Sequence, residues 1–507
     1  MLSNKQELFE TATSSSLTYQ QKIAGLANAA IRLQDPRELL NYSEKDWEFI
    51  QNGMICDLNE GYLLHTPRYI VPDYEVLVEK GCDFLDITPP KDLDELLDDL
   101  LMMYAHIPSV TTFPVYIGNL DTLFEPFLDG LTDEVVYPKI KRFLNHIDKV
   151  FTDAFVHADI GPKATRAGYL ILRAVVELEN PVPNMTFNYD EEISDEKFAL
   201  ACVDSCLRVS KPSFSNVKEY TKVVGKHAIV SCYNSLPIGG GAYGLLRYRL
   251  GTIAIASKNT DDMINNLLPE LGKSINHMMD ERIDFVVQKS NFFESNFLVK
   301  EGFLARDKFT SMIAIVGLAD AVDNLLQKEG LNETFGTSER GDEIALAIMD
   351  KVKEINDAHE TKYMERTNDH YLLHAQVGAQ ITPEDVDNTP AHRVKVGEEP
   401  ILPIHINQAS KFYKYFDAGT GDLYPFDQTY IDHPDAVLDI IKGAFHQGTR
   451  YITTYVENSD LIRVTGYLVK KSEVEKANND KAVLRNTTWF GKGSEEYNSV
   501  FERRITK

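Results

Sequence analysis

No stretch of this chain approaches the run of about 18 apolar residues that a membrane-spanning helix needs. The first residues, Met1-Leu2-Ser3-Asn4-Lys5-Gln6-Glu7-Leu8, lack a basic start followed by an apolar core, so the sequence predicts no signal peptide. Cysteine is scarce. Cys56, Cys82, Cys202, Cys206 and Cys232 are five scattered thiols, an odd number, which excludes a disulfide framework and fits a reducing cytoplasm. Positive charge is in deficit. Lys and Arg number 52 against 77 Asp and Glu, a formal net charge of -25. That balance excludes a nucleic-acid backbone as partner and docking on an anionic membrane surface. Repeats and low-complexity tracts are absent.

What is present is globular. A hydrophobic share of 43% with 25% charged residues can build an ordinary core, and 507 residues hold two or three average domains or one large α/β barrel. Residues 1–175 read as a mostly helical N-terminal region. Leu93, Leu96, Leu97, Leu100, Leu101 and Tyr104 recur at helical spacing. Asp153–Val156 and Ala167–Val176 read as further buried helices. Beyond them, strand-like runs alternate with helices. Val223–Gly225, Ala228–Val230, Tyr248–Ala256, Ile401–Ile406 and Tyr451–Val456 are the predicted strands. Residues 261–300, 309–328 and 342–375 read as helical, and Thr382–Pro403 as a long loop. Helices around alternating strands suit an α/β barrel, and periodicity does not separate that from an open doubly wound sheet.

Two segments carry chemistry. Near the C-terminus stands Arg463-Val464-Thr465-Gly466-Tyr467-Leu468-Val469. A radical on a glycine Cα sits between an amide nitrogen that donates electron density and a carbonyl that withdraws it, and no Cβ keeps the centre from flattening. Read without chemistry, the same string is a strand turning at a small residue. Cys232 ends the apolar run His227-Ala228-Ile229-Val230-Ser231, then opens the loop Tyr233–Ile238, closed by Gly239-Gly240-Gly241. The plainer reading of Cys232 is an inert buried thiol.

The glycine string resembles the R-V-[SCT]-G-[YF] loop of glycyl radical enzymes. Cys232 resembles their cysteine loop, and Pro181-Val182-Pro183-Asn184-Met185-Thr186 their P-x-P-N-x-T segment leading into the first barrel strand. The three occur in the family's order. The resemblance spans roughly residues 170–500 and implies a barrel of ten strands, two antiparallel five-stranded halves, with the two loops meeting inside. It implies domains at 1–175 (helical), 176–440 (barrel core with the cysteine loop) and 441–507 (glycyl radical region). It also implies that Gly466 stores the radical and that Cys232 becomes the thiyl that takes hydrogen from a small substrate. Arg463, Val464, Thr465 and Tyr467 would complete the glycine loop. No tightly bound cofactor is implied; a separate activating enzyme with S-adenosylmethionine and a 4Fe-4S cluster installs the radical. A homodimer fits the family, and an oxygen-sensitive radical protein belongs to anaerobic metabolism in the cytoplasm. Asn234, Tyr243, His405, Asn407, Tyr451 and Tyr455 are polar groups on or near predicted strands or loops, and are the candidate pocket.

Departures narrow the class. Ser231 and Tyr233 flank Cys232, so the paired cysteines of pyruvate formate-lyase-like acyl transfer are missing. Asn234 stands where the C-x-E dehydratases carry a glutamate base. Arg247-Tyr248-Arg249-Leu250-Gly251 resembles anaerobic ribonucleotide reductase, yet no cysteine follows Cys232 to build its zinc site. Length, the S-L-P-I-G-G-G-A-Y run and the R-V-T-G-Y-L-V-K ending resemble the short YjjI-type glycyl radical enzymes, and the resemblance supplies no substrate.

Four other readings stay open. Gly239–Gly244 formally matches the G-x-G-x-x-G dinucleotide fingerprint of a nicotinamide-dependent oxidoreductase, but the following Leu245–Ile253 looks like strand. A nucleotide- or sugar-directed reductase related to anaerobic ribonucleotide reductase is the second. A catalytically silent radical reservoir or regulatory partner is the third. His370 and His374, with His359 and Glu360 upstream, have metal-pair spacing without an evident third ligand, and a solvated helix face is preferred. Cys202 and Cys206 read as buried thiols on one helix, without the third cysteine of an iron–sulfur motif.

Overall fold

Among the described residues eleven strands build two sheets, and a cysteine-bearing hairpin lies between them. The structure is a computed structural model that describes residues 2–31, 39–57, 64–111, 115–151, 155–376, 387, 389–456 and 459–498. Among the described residues no helix is long and apolar enough to cross a membrane.

The strands in chain order are β1 (Ile55–Asp57), β2 (Tyr69–Val71), β3 (Val115–Asn119), β4 (Val156–Ile160) and β5 (Asn184–Tyr189). Next come β6 (Ser213–Asn216), β7 (His227–Val230), β8 (Asn234–Pro237), β9 (Gly240–Arg249) and β10 (Phe309–Val316). The last are β11 (Leu372–Ala375), β12 (Asp422–Phe426), β13 (Tyr451–Val456), β14 (Leu461–Arg463) and β15 (Leu468–Lys470). One sheet has six strands in the order β12-β13-β6-β5-β4-β3. Its β3 to β6 run parallel, and β13 joins β6 antiparallel. The other has five, β1-β9-β10-β11 with β2 also on β9. There β9, β10 and β11 are parallel, while β1 and β2 are antiparallel to β9.

The antiparallel hairpin β7–β8 belongs to neither sheet. Its β7 packs on β3 and β4, and its β8 on β9 and β10, so its tip is delivered between the sheets. A second hairpin, β14–β15, packs on β13 and is covered by the helices Lys471–Asn478 and Asn486–Asn498. It has its own apolar cluster, in which Ile462, Val464, Tyr467, Val469 and Val474 meet Phe155 and Tyr455.

Several expectations are corrected here. The ten strands in two antiparallel halves give way to mixed sheets of five and six strands, and no closed barrel forms among the described residues. The helical region expected over 1–175 also contributes β1 to β4, and the boundary expected at 175 falls in the helix Arg166–Leu178, between neighbouring strands β4 and β5. Residues 309–316 form β10, not helix, and 372–375 form β11. Every position of β4, β5 and β10 is buried; β10 has no polar alternation to mark it as a strand, whereas β4 and β5 alternate polar and apolar residues between two buried faces.

Conversely, Val223 and Val224 end the helix Val217–Val224, and Ile401–Ile406 enters the helix Leu402–Tyr413, whose first turn holds Pro403. Proline fits that turn because it lacks only an N–H that would be unpaired there. The strand expected over Tyr248–Ala256 ends at Arg249, and Leu250–Ala256 is helical. The carboxylate of Asp387 accepts from the backbone N–H of Gly251 at 2.6 Å and from Thr252 Oγ1 at 2.7 Å, capping this helix from far along the chain. Tyr451–Val456 is a strand as expected. Of the loop expected over Thr382–Pro403, residues 382–386 and 388 lie outside the described residues.

Candidate active site

Cys232 sits at the tip of the β7–β8 hairpin between two residues in left-handed backbone, Ser231 at φ 53° and Tyr233 at φ 70°. Such φ values in non-glycine residues cost about 1–3 kcal/mol each and persist only where the surroundings enforce them. The surroundings are specific. The Ser231 N–H donates to His157 Nε2 at 3.0 Å, from β4. The Ser235 N–H donates to Ala418 O at 2.7 Å. Tyr233 is clasped by two glycines. A Cβ at Gly419 would lie 1.9 Å from Tyr233 O, and one at Gly421 would lie 3.1 Å from its ring. The Arg393 guanidinium lies over that ring at 5.3 Å from its centroid.

The β14–β15 hairpin brings Gly466 to this tip. A Cβ on Gly466 would lie 1.8 Å from Ser231 O and 2.9 Å from Cys232 Cα. Glycine is required here by close approach. Thr465 Oγ1 lies 3.8 Å from Cys232 Sγ, and Ser231 Oγ 3.9 Å from it. Gly466 is buried and Cys232 is half-buried. Val464 N–H donates to Tyr467 O at 3.0 Å and closes the turn. The Tyr467 ring stacks on Phe155 at 4.8 Å, and the fully buried Arg463 donates from Nη2 to Ser210 O at 2.5 Å. Gly466, Cys232, Arg463, Val464, Thr465 and Tyr467 are thus brought together.

Two histidines flank the cysteine loop. Burial, with the Arg463 cation as a second cause, pushes His157 down to about 3. A neutral imidazole is what the accepting Nε2 requires. His374, on β11, lies against the Cys232 backbone; burial takes it down to about 3 although that contact and Gln376 pull upward. His157 and the Gly419–Gly421 segment were missed by the sequence reading, while His374 was noticed only for its spacing from His370. That spacing does not lie on a helix. His374 is in a strand, and His370 precedes it, its Nδ1 2.8 Å from His359 O.

The expected pocket set divides. Asn234 is buried beside Cys232, its side-chain amide donating to Val230 O at 3.0 Å. Tyr451 is buried with its ring 5.1 Å from that of Tyr233 and its hydroxyl 2.8 Å from Thr186 Oγ1. Tyr455 backs the glycine hairpin in the apolar cluster. Tyr243 is on β9 against Phe309, 5.2 Å between centroids. His405 and Asn407, expected on a strand, sit on the helix Leu402–Tyr413. There His405 Nε2 lies 3.1 Å from Asp422 Oδ2, and Asn407 is exposed. Cys202 and Cys206 are buried on the helix Glu196–Val209, and burial raises both thiols.

The glycine-rich run does not open a helix. It enters β9, where a Cβ at Gly240 would lie 1.9 Å from Lys308 O and one at Gly241 2.0 Å from Tyr69 O. These glycines serve strand packing, and the next helix begins only at Leu250, at the far end of β9, so the glycine turn itself opens onto no helix N-terminus that could receive a pyrophosphate.

A glycine-tipped hairpin pressed on a cysteine-tipped hairpin between two sheets defines the class of glycyl radical enzymes. The chain belongs to the YjjI-like family of that class, whose sequence model, "Glycyl radical enzyme YjjI-like", matches residues 17–506. It is 59% identical over 506 residues to an uncharacterized protein of Haemophilus influenzae, covering 100% of this chain and 98% of the relative. It is 36% identical over 457 residues to the uncharacterized protein YjjI of Escherichia coli K12, covering 90% and 87%. Its fold is similar to the anaerobic ribonucleotide reductase of Thermotoga maritima in complex with dATP and CTP, with a TM-score of 0.73 at 12% identity over 94% of this chain and 93% of that one. It is also similar to a structure described for 1,2-propanediol dehydration in Roseburia inulinivorans, with a TM-score of 0.70 at 13% identity over 94% and 88%. At these identities the likeness concerns the fold.

Proposed function

We propose that Gly466 stores a radical and that Cys232 is the sulfur through which it acts. A partner radical S-adenosylmethionine enzyme with a 4Fe-4S cluster removes one hydrogen atom from Gly466 Cα. Gly466 then takes the hydrogen atom of the Cys232 S–H, restoring its own C–H and leaving a thiyl. The thiyl takes a hydrogen atom from a substrate C–H, and after rearrangement or fragmentation the S–H returns one to the product radical. The observation that carries this reading is the approach of Gly466 to Ser231 and Cys232, too close for any Cβ.

The two sheets act as the halves that keep water and oxygen from these radicals. Asn234 leaves no carboxylate two residues after Cys232, and Ser231 is no second thiol, so neither a glutamate-assisted elimination nor a two-cysteine acyl transfer operates here. The substrate is small, the protein is oxygen-sensitive and cytoplasmic, and a homodimer is compatible with the reading.

The test is solvent exchange. A thiol trades its proton with water, so hydrogen passage between Gly466 and Cys232 carries deuterium from D2O onto the glycine. Electron paramagnetic resonance of the activated protein should show a doublet in H2O that collapses in D2O. Cys232→Ala should keep its doublet in both solvents. Collapse in the variant as well would remove Cys232 from the pathway.

A further inference from the structure

The His157–Ser231 hydrogen bond fixes which face of the six-stranded sheet looks at the cysteine loop. Strand register extends that face. Opposite His157 on β5 is Asn184, and opposite Asp159 is Thr186; Asn188 pairs with Ser215 on β6. Side chains alternate along a strand, so Asp159, Asn184, Asn188 and Ser215 share the face of His157. All four are buried.

This face is unusual for an interior. Asp159 Oδ1, Asn184 Oδ1, Asn188 Oδ1 and Ser215 Oγ have no hydrogen-bond partner among the described residues, and Asn234 Oδ1 adds a fifth beside Cys232. An unpaired buried polar atom costs about 1–3 kcal/mol, so a group of them calls for a molecule that pairs them. Four of the five are carbonyl-type oxygens of amide or carboxyl groups. They ask for O–H or N–H donors.

The cations around this face have partners within the protein: Arg463 donates to Ser210 O and Arg393 to Gly421 O. Lys211 spends its ammonium on Asn180 O and Pro183 O, and Arg247, on the opposite sheet, donates to Cys56 Sγ at 3.0 Å. Burial also holds the Asp159 carboxyl well above its ordinary range, although Tyr116 and Asn188 pull it down. That shift favours the neutral carboxyl, which can donate as well as accept. At a rise of about 3.3 Å per residue, Asp159 lies about 7 Å beyond His157 along β4, within the span of one small molecule from the cysteine loop.

We propose that this face binds the hydroxyl groups of a small, uncharged, polyhydroxylated molecule, and that such a molecule is the substrate of the Gly466–Cys232 pair. The inference rests on the radical reading for the word substrate. The binding site itself rests on the unpaired oxygens and needs no radical.

The test therefore uses the full chain without activation, in air. Thermal melting is followed against rising glycerol, erythritol and xylitol, and against glycerate and glycerol 3-phosphate as charged counterparts. Polyols raise Tm without saturation through preferential exclusion. The expected result is a saturable rise with at least one of the three, superimposed on that trend. It should weaken at least tenfold in apparent Kd in Asn188→Leu and in the milder Ser215→Ala, which removes one hydroxyl. Unsaturable behaviour with all three polyols overturns the proposal, as does saturation by the charged compounds alone. A glycyl radical observed without polyol binding sinks this inference and spares the radical reading; polyol binding without a radical does the reverse.

Discussion

Ser231 donates its backbone N–H to Nε2 of His157 at 3.0 Å, so the strained residue before Cys232 depends on an imidazole that stays neutral. Protonation would remove the acceptor and set a new cation near Arg463, which already opposes that charge.

Stability should therefore fall on mild acidification. Burial holds His157 and His374 down at about 3, and His227 and His392 at about 4. Between those values and the unfolded value of about 6.5, the unfolded chain binds more protons than the folded one. Stability then rises with pH across that window and is lost as pH drops below about 6.5, by about 1.4 kcal/mol per pH unit per histidine at the limit. His405 works in the opposite sense, because its pairing with Asp422 outweighs its burial and shifts it upward. Tm of the unactivated protein should fall between pH 7 and pH 5. His157→Gln keeps an acceptor for Ser231 without a titrating ring, and should show a smaller fall. Equal falls in the two proteins would contradict the assignment.

Glycine substitutions should separate by what the new methyl meets. Gly466→Ala places it 1.8 Å from Ser231 O, and Gly419→Ala places it 1.9 Å from Tyr233 O at φ +123°. Each should lower stability by about 1–3 kcal/mol as overpacking does. Gly443, in the helix Pro434–His446, has nothing within 4 Å. Gly443→Ala should be neutral or stabilise by up to about 1 kcal/mol through lower unfolded-state entropy. Urea melts of the three variants check the order.

The glycine hairpin is pinned from its C-terminal side. Arg485 is buried, and its guanidinium pairs with the buried Asp148 and, at 2.7 Å, with Glu473 Oε1. Removing one partner of a buried pair costs about 3–5 kcal/mol because the other charge is left alone. Arg485→Leu should make residues 471–498 more sensitive to limited proteolysis, with the two sheets cut no faster than in the wild type. Unchanged cleavage would show that the pair does not anchor this segment.

The site was more legible than the fold around it. Gly466 and Cys232 each carry a chemical requirement that survives in a short string, and the structure seats them together. The strands β3, β10 and β11 were not legible, because strands buried on both faces lack the period of two that betrays a half-exposed one; β4 does alternate, but it is short and its first residue falls in the Asp153–Val156 segment read as helix. Ile401–Ile406 failed for the complementary reason, as a short apolar run packs equally well as a helix. The helix Leu250–Ala256 takes its cap from Asp387, which no local window contains. His157 stayed hidden because its role is set by Ser231, a partner distant in sequence that only the packing of β7 on β4 supplies.

The central claim is that the unpaired electron resides on the α-carbon of residue 466. Electron paramagnetic resonance of anaerobically activated protein grown on [2-13C]glycine tests it most directly. The account predicts a doublet from one α-hydrogen that the 13C label splits further, and that Gly466→Ala lacks. A signal indifferent to the label, or one that persists in Gly466→Ala, would contradict it.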